Sequence, residues 1–178
     1  LTNTTSAPVT VTFTVTPTAD GCTGTAVTST VIVNPTPAVN AIPNQTVCNG
    51  AATTAVTFTG LEPATVYSWT NDNATIGLAV SGTGNIPSFT ATNTGAAPVT
   101  ATITVIPTYV GCPDGPSRTF TITVNPSGQV NAVPNQVLCA GQSTTAVNFT
   151  TTVPGTTFNW TNNNTGTGLG ANGTGNIA

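Results

Sequence analysis

Few side chains in this 178-residue chain can exchange protons, attack an electrophile or hold a metal. The strongest are Asp20, Glu62, Asp72, Asp114, Arg118 and four cysteines, Cys22, Cys48, Cys112 and Cys139, beside the weakly acidic Ser, Thr and Tyr hydroxyls; there is no His, Lys or Met. General acid–base and nucleophilic catalysis need such groups gathered in one place with a base at hand. A chain without His or Lys must rely on its carboxylates, and these lie far apart in sequence. "TNDNATIG" (70–77) sets Asp72 between Asn71 and Asn73, but calcium sites usually need more than one carboxylate. A polar turn is therefore expected there. With a net charge of −3, one Arg and no Lys, nucleic acid is excluded as a partner, and so is an anionic membrane surface. Four cysteines without histidine fit an oxidising, extracellular setting better than a metal site.

The elements that carry these residues are repeated. Residues 43–86 match 134–177 at an offset of 91, with 24 of 44 positions identical, and "APVTVTFTVTPTADGC" (7–22) matches "APVTATITVIPTYVGC" (97–112) at an offset of 90. The repeats do not share their acids: Glu62 corresponds to Val153, Asp72 to Asn163 and Asp20 to Val110. A common catalytic site is thus ruled out, and neither an enzyme nor a cofactor is expected. A period near 90 residues suits a β-sandwich domain. "VNPTPAVNAIPN" (33–44) and "VNPSGQVNAVPN" (124–135) read as Pro-stiffened linkers. The organisation follows: residues 1–34 are the last two strands of one repeat, 35–126 a complete repeat, and 127–178 the start of a third.

Within the complete repeat, apolar residues alternate with Thr, the pattern of a half-buried strand. Strands are expected near 38–47, 53–60, 65–70, 77–81, 86–93, 98–107 and 118–124. The expected core is Val56, Phe58, Tyr67, Trp69, Ile103 and Phe120, with Val99, Ala101, Val105, Ile122 and Val124 beside them. In the flanks, Val9, Val11, Phe13 and Val15 repeat the sixth strand, and Phe149, Phe158 and Trp160 repeat the second and third. Trp69 and Trp160 read as core residues rather than sugar platforms. The outward Thr10, Thr12, Thr14 and Thr16 read as ordinary strand formers. No run of apolar residues is long enough to span a bilayer as a helix.

The fold class expected is all-β: tandem seven-stranded immunoglobulin-like (PKD-like) sandwiches in a head-to-tail rod. "PNQTVCNG", "YSWTND", "VGC" before the last strand and "TVNP" resemble the PKD-like or Ig-like repeats of very large Bacteroidetes surface proteins. These include type IX-secreted and gliding-linked adhesins. The acidic stretch usual in PKD repeats is absent, which argues against a calcium-dependent role. The resemblance implies an extended extracellular stalk, filament or adhesin at the cell surface. Neighbouring repeats or other copies would be its partners. An adhesive module contacting glycan or protein through loops 70–77 and 109–117 is the alternative.

The pairing of the cysteines stays open. Cys48 with Cys112 inside one repeat has the Cys…Trp…Cys order of immunoglobulin domains, with Trp69 between. Yet Cys48 precedes the second strand and Cys112 follows the sixth, which sets them at opposite poles of an immunoglobulin-like sandwich. A bridge from Cys48 to the hairpin cysteine of the following repeat would clamp the joint between domains. Free thiols are the third case. The chain also starts and stops inside a repeat. That predicts either a window on a longer chain or neighbouring chains completing each other by strand complementation.

Overall fold

The computed structural model describes residues 1–178. Its strands are β1 (Val9–Val15), β2 (Thr18–Ala19), β3 (Cys22–Thr23), β4 (Val27–Val33), β5 (Gln45–Cys48), β6 (Val66–Asn71), β7 (Ser81–Thr83), β8 (Val99–Thr108), β9 (Arg118–Asn125), β10 (Asn159–Thr161) and β11 (Asn172–Thr174). The only helical turns are two short 3-10 segments, Ala74–Ile76 and Thr165–Thr167.

The alternation in "VTATITVIPT" dictates the centre of the fold. In β8 every second residue is buried: Ala101, Ile103 and Val105 are fully covered, and so is Pro107, while the intervening Thr side chains face out. In β9, Phe120, Ile122 and Val124 do the same. These two strands occupy the middle of a five-stranded sheet in the order β5-β9-β8-β6-β7. The sheet is mixed, because β5 runs parallel to β9 while the other neighbours are antiparallel. Over it lies a second layer from residues 51–58 and 86–92, which brings Val56, Phe58, Ile86 and Ala91 into the same core as Trp69, Ile103 and Phe120. Tyr67 packs at the rim, its ring 5.6 Å from that of Phe58.

Four expected strands differ. The second layer, expected as strands 53–60 and 86–93, is held only by the isolated bridges Ala52↔Thr90 and Val56↔Ile86. Side chains have taken the backbone groups a ladder would use. Gln45 Oε1 accepts from Thr54 N at 2.9 Å, Thr53 Oγ1 from Phe89 N at 3.1 Å, and Asn85 Oδ1 from Phe58 N at 2.9 Å. The expected strand 38–47 is cut to Gln45–Cys48. Pro43, just before it, has no N–H to give a ladder. The expected strand 77–81 gives way to the turn Ala74–Ile76 and the short β7. Asn73 Oδ1 caps that turn, and Gly77 closes it with left-handed backbone.

The flanking segments copy halves of this arrangement without its burial. β1 pairs with β4 in the register Val9↔Val33, Val11↔Val31, Phe13↔Ser29 and Val15↔Val27. The β8–β9 register is its counterpart: Val99↔Val124, Ala101↔Ile122, Ile103↔Phe120 and Val105↔Arg118. At the other end the bridge Val147↔Ile177 matches Val56↔Ile86, and β10 pairs with β11 as β6 pairs with β7. Phe149, Phe158 and Trp160, expected in a core, are only half-buried. No counterpart of β8 and β9 lies over them.

Candidate functional site: the two poles of the central module

The titratable groups are dispersed. No three of the Asp, Glu and Cys side chains stand close enough together to hold a metal. Asp72 Oδ1 accepts from Thr102 N at 2.7 Å, which ties the 70–77 loop to β8. The loop's two asparagine oxygens are also engaged, because Asn71 Oδ1 accepts from Asn73 N and Asn73 Oδ1 from both Thr75 N and Thr75 Oγ1. The equivalent loop 161–168 repeats the device with Asn162 and Asn164. This loop is therefore a self-satisfied polar turn in both places. Glu62 is the exception among the acids. It is 3% exposed, and its Oε1 has no hydrogen-bond partner. Its counterpart Val153 is also buried and faces Ala97, Pro98, Asn125 and Pro126 across a cavity of about 270 Å³. A carboxylate thus occupies a position where the other repeat has valine.

Trp69 is buried and Trp160 half-buried, each ring lying over a glycine, Gly82 or Gly173. A Cβ at either glycine would collide with the ring, so the glycines are what admit the indoles. "WTN" followed by "SGTGN" or "NGTGN" is the sequence signal for this pairing. Neither indole Nε1–H finds a partner.

All four cysteines are free thiols; Cys22, Cys48 and Cys139 are exposed and Cys112 is partly covered. Cys48 ends β5 directly opposite Asn125, and Asn49 N donates to Asn125 O at 2.8 Å. Asn49 Nδ2 then reaches Ser127 Oγ at 3.3 Å. Cys112 lies at the other end of the β8–β9 hairpin, its Sγ 3.6 Å from Pro35 O. From Asn125 back to Arg118 β9 alone spans about 23 Å at ~3.3 Å per residue. Cys112 lies beyond that, whereas a disulfide needs Cα atoms about 4.4–6.8 Å apart. A Cys48–Cys112 bridge within the central module is excluded by this geometry.

The two poles are related through the repeat. Pro35 and Pro126 are equivalent residues of "VNP" at 33–35 and 124–126. Cys112, in the hairpin turn, touches Pro35, through which the chain enters residues 35–126. Cys48 stands beside the residue preceding the proline through which the chain leaves. Sequence reasoning placed Cys112 in the hairpin turn, where it lies, and Cys48 just after the first strand, whereas it is the last residue of β5. It missed Asn125 as the neighbour of Cys48, because that contact depends on the parallel β5–β9 pairing and leaves no local signal.

No curated protein matches the chain. The family model of the PKD-like domain matches residues 1–37, which comprise the β1–β4 hairpin and the first residues of the linker. That match, on an all-β chain whose β8–β9 hairpin has the register of β1–β4, supports a PKD-like or Ig-like sandwich fold.

Proposed function

We propose that the chain is a structural segment of an extracellular filament, stalk or adhesin, a stiff and nearly uncharged rod of β-sandwich modules. One observation carries the reading: the chain reaches the central module and leaves it at opposite poles. Pro35 lies against Cys112 at the hairpin end, and Asn125 to Ser127 lie against Cys48 and Asn49 at the other. Modules joined through such poles extend a line instead of doubling back. Proline linkers limit bending at each joint. A surface of Thr and Asn with few titrating groups keeps its character across pH and salt.

The cysteines give the joint a lock. In consecutive modules the Cys48-type thiol and the next hairpin thiol meet at one Asn-Pro pair. Thiol–disulfide exchange with an oxidised disulfide such as oxidised glutathione joins the two sulfurs. Two electrons pass to the oxidant, whose sulfurs leave as two thiols, and the cysteines release two protons. The absence of histidine and the setting that four such cysteines suit favour an extracellular location.

Small-angle scattering on chains carrying increasing numbers of these repeats tests the rod. The maximum dimension should rise linearly, by about 35–45 Å per module given strands of up to ten residues. Growth as the square root of the number of modules would describe a flexible string and overturn the proposal.

A further inference from the structure

Val153, 7% exposed, is the only buried residue among 127–178. The central module supplies its cover. With Pro154 it lies against Ala96, Ala97, Pro98, Asn125 and Pro126, around the cavity of about 270 Å³. A turn presents the side chain. Val153 N donates to Thr151 Oγ1 at 3.1 Å, Thr156 Oγ1 donates to Val153 O at 2.7 Å, and Gly155 takes left-handed backbone at φ 75°. The backbone of Val153 is thus satisfied within its own turn, and the isopropyl group packs across the linker.

We infer that this contact is a built interface between consecutive modules. The Val153–Pro154 corner of one module is the wedge, and the surface of Ala96, Ala97, Pro98, Asn125 and Pro126 on the module before it is the seat. The inference rests on the rod reading and deepens it: a proline stiffens a linker, but a packed contact also fixes the direction in which the next module leaves. A clasp beside the seat holds the linker itself. Ser127 Oγ donates to Asn49 O and Asn49 Nδ2 to Ser127 Oγ, both at 3.3 Å. Asn49 Oδ1 accepts from Asn93 N at 2.8 Å, and Asn93 Nδ2 donates to Ala97 O in the seat at 2.8 Å. Clasp and seat therefore belong to one hydrogen-bonded unit.

The seat occurs twice in the chain. Ala97, Pro98, Asn125 and Pro126 correspond to Ala7, Pro8, Asn34 and Pro35, unchanged. Its brace is repeated as well, since Asn3 donates to Ala7 O and Val33 O as Asn93 does to Ala97 O and Val124 O. The wedge position precedes a proline in both repeats and is buried in both: Val153 before Pro154, and Glu62, 3% exposed, before Pro63. Its polarity changes while its burial stays, so the joint keeps the position and not the side-chain chemistry. At the Val153 joint the match is apolar on both sides, because no seat residue is charged.

Amide nitrogen relaxation on the 178-residue chain tests the interface. Referred to the tumbling of the central module, the amides of the 151–156 turn and of β10 should have order parameters of about 0.85 in the parent, as parts of one rigid body. Val153→Gly removes the wedge and should bring them below about 0.6. Ser127→Ala removes the clasp, leaves Asn49 bonded to Asn93, and should lower them by a smaller step. Because Ser127→Ala leaves the turn and every side chain of 128–178 in place, loosening in that variant comes from the joint and not from unfolding of the segment. The melting transition of the central module should be the same in all three proteins, since neither side chain belongs to its core. Independent motion of the two segments in the parent, or parent-like order parameters in either variant, would overturn the inference. The rod proposal is tested apart from it: a mobile joint in chains whose length grows linearly sinks the interface alone, and a fixed joint in chains that grow as the square root sinks the rod alone.

Discussion

The hairpins β1–β4 and β8–β9 have the same register and the same asparagine lock. Asn3 Nδ2 donates to Ala7 O and Val33 O at 2.8 and 2.7 Å; Asn93 Nδ2 donates to Ala97 O and Val124 O, both at 2.8 Å. One hairpin is fully buried along its inner face and the other is exposed along it. Hairpin geometry is thus a local property, set by alternating β-branched residues, a tight turn and one side chain. Burial is a property of the module. Stability should follow burial, and paired substitutions at equivalent positions can separate the two.

The largest contrast should lie at the tryptophans. Trp69→Ala removes a ring from a closed core and should cost the central module about 3–5 kcal/mol in chemical denaturation. Trp160→Ala, at the half-buried counterpart, should leave that transition within about 0.5 kcal/mol. Equal losses at both sites would mean that residues 127–178 fold as one cooperative unit with the central module. The asparagine lock comes next. Asn93 is buried, and its Oδ1 also accepts from Gly95 N at 2.9 Å. Asn93→Ala should cost about 2–3 kcal/mol because the buried Val124 carbonyl loses a donor. Asn3→Ala, at the exposed hairpin, should cost less than about 0.5 kcal/mol on the same transition.

Much of this contrast was legible in the sequence. The strands expected at 98–107 and 118–124 lie within one residue of β8 and β9, because their alternation is uninterrupted and both ends carry Pro or Gly. Val56, Phe58, Trp69, Ile103 and Phe120 are buried as the period of two requires. The pattern could not tell which group takes each backbone N–H. Gln45, Thr53 and Asn85 intercept three of them, and the second layer shrinks to bridges. At the poles, the position of Cys48 outside its neighbouring core strand was readable. Its partner across the parallel β5–β9 ladder was not, since parallel pairing joins segments that share no turn. The burial of Glu62 also left no trace, because an acid beside a proline reads as a surface turn.

Glu62 offers a smaller test of the same comparison. The other repeat fills this position with Val153, and Glu62 Oε1 is buried without a partner. Glu62→Val should therefore stabilise the chain by about 1–2 kcal/mol, read as a rise in the denaturation midpoint at unchanged slope. A loss of stability would mean that the carboxylate has a favourable role in the joint.

The smallest effect should come from Tyr67, whose counterpart is Phe158. Burial raises the Tyr67 phenol above its ordinary pKa of 10.0. Its hydroxyl makes a long bond to Ala38 O, 3.5 Å, and the neighbouring Thr65 side chain pulls the value down, but burial is the larger effect. The unfolded chain therefore releases this proton at lower pH than the folded one. The stability contributed by the neutral phenol is complete below pH ~10 and is lost as the pH rises through the folded-state value. Tyr67→Phe, which installs the other repeat's residue, should change stability at pH 7 by less than about 0.5 kcal/mol. Its melting temperature should fall less than the parent's between pH 9 and pH 11. The remaining tyrosine, Tyr109, is partly exposed and present in both proteins, so it cancels in the comparison. Parallel melting curves for the two proteins across that range would show that the phenol ionises as freely in the fold as in the unfolded chain, and that packing at the rim of the Phe58 ring does not desolvate it.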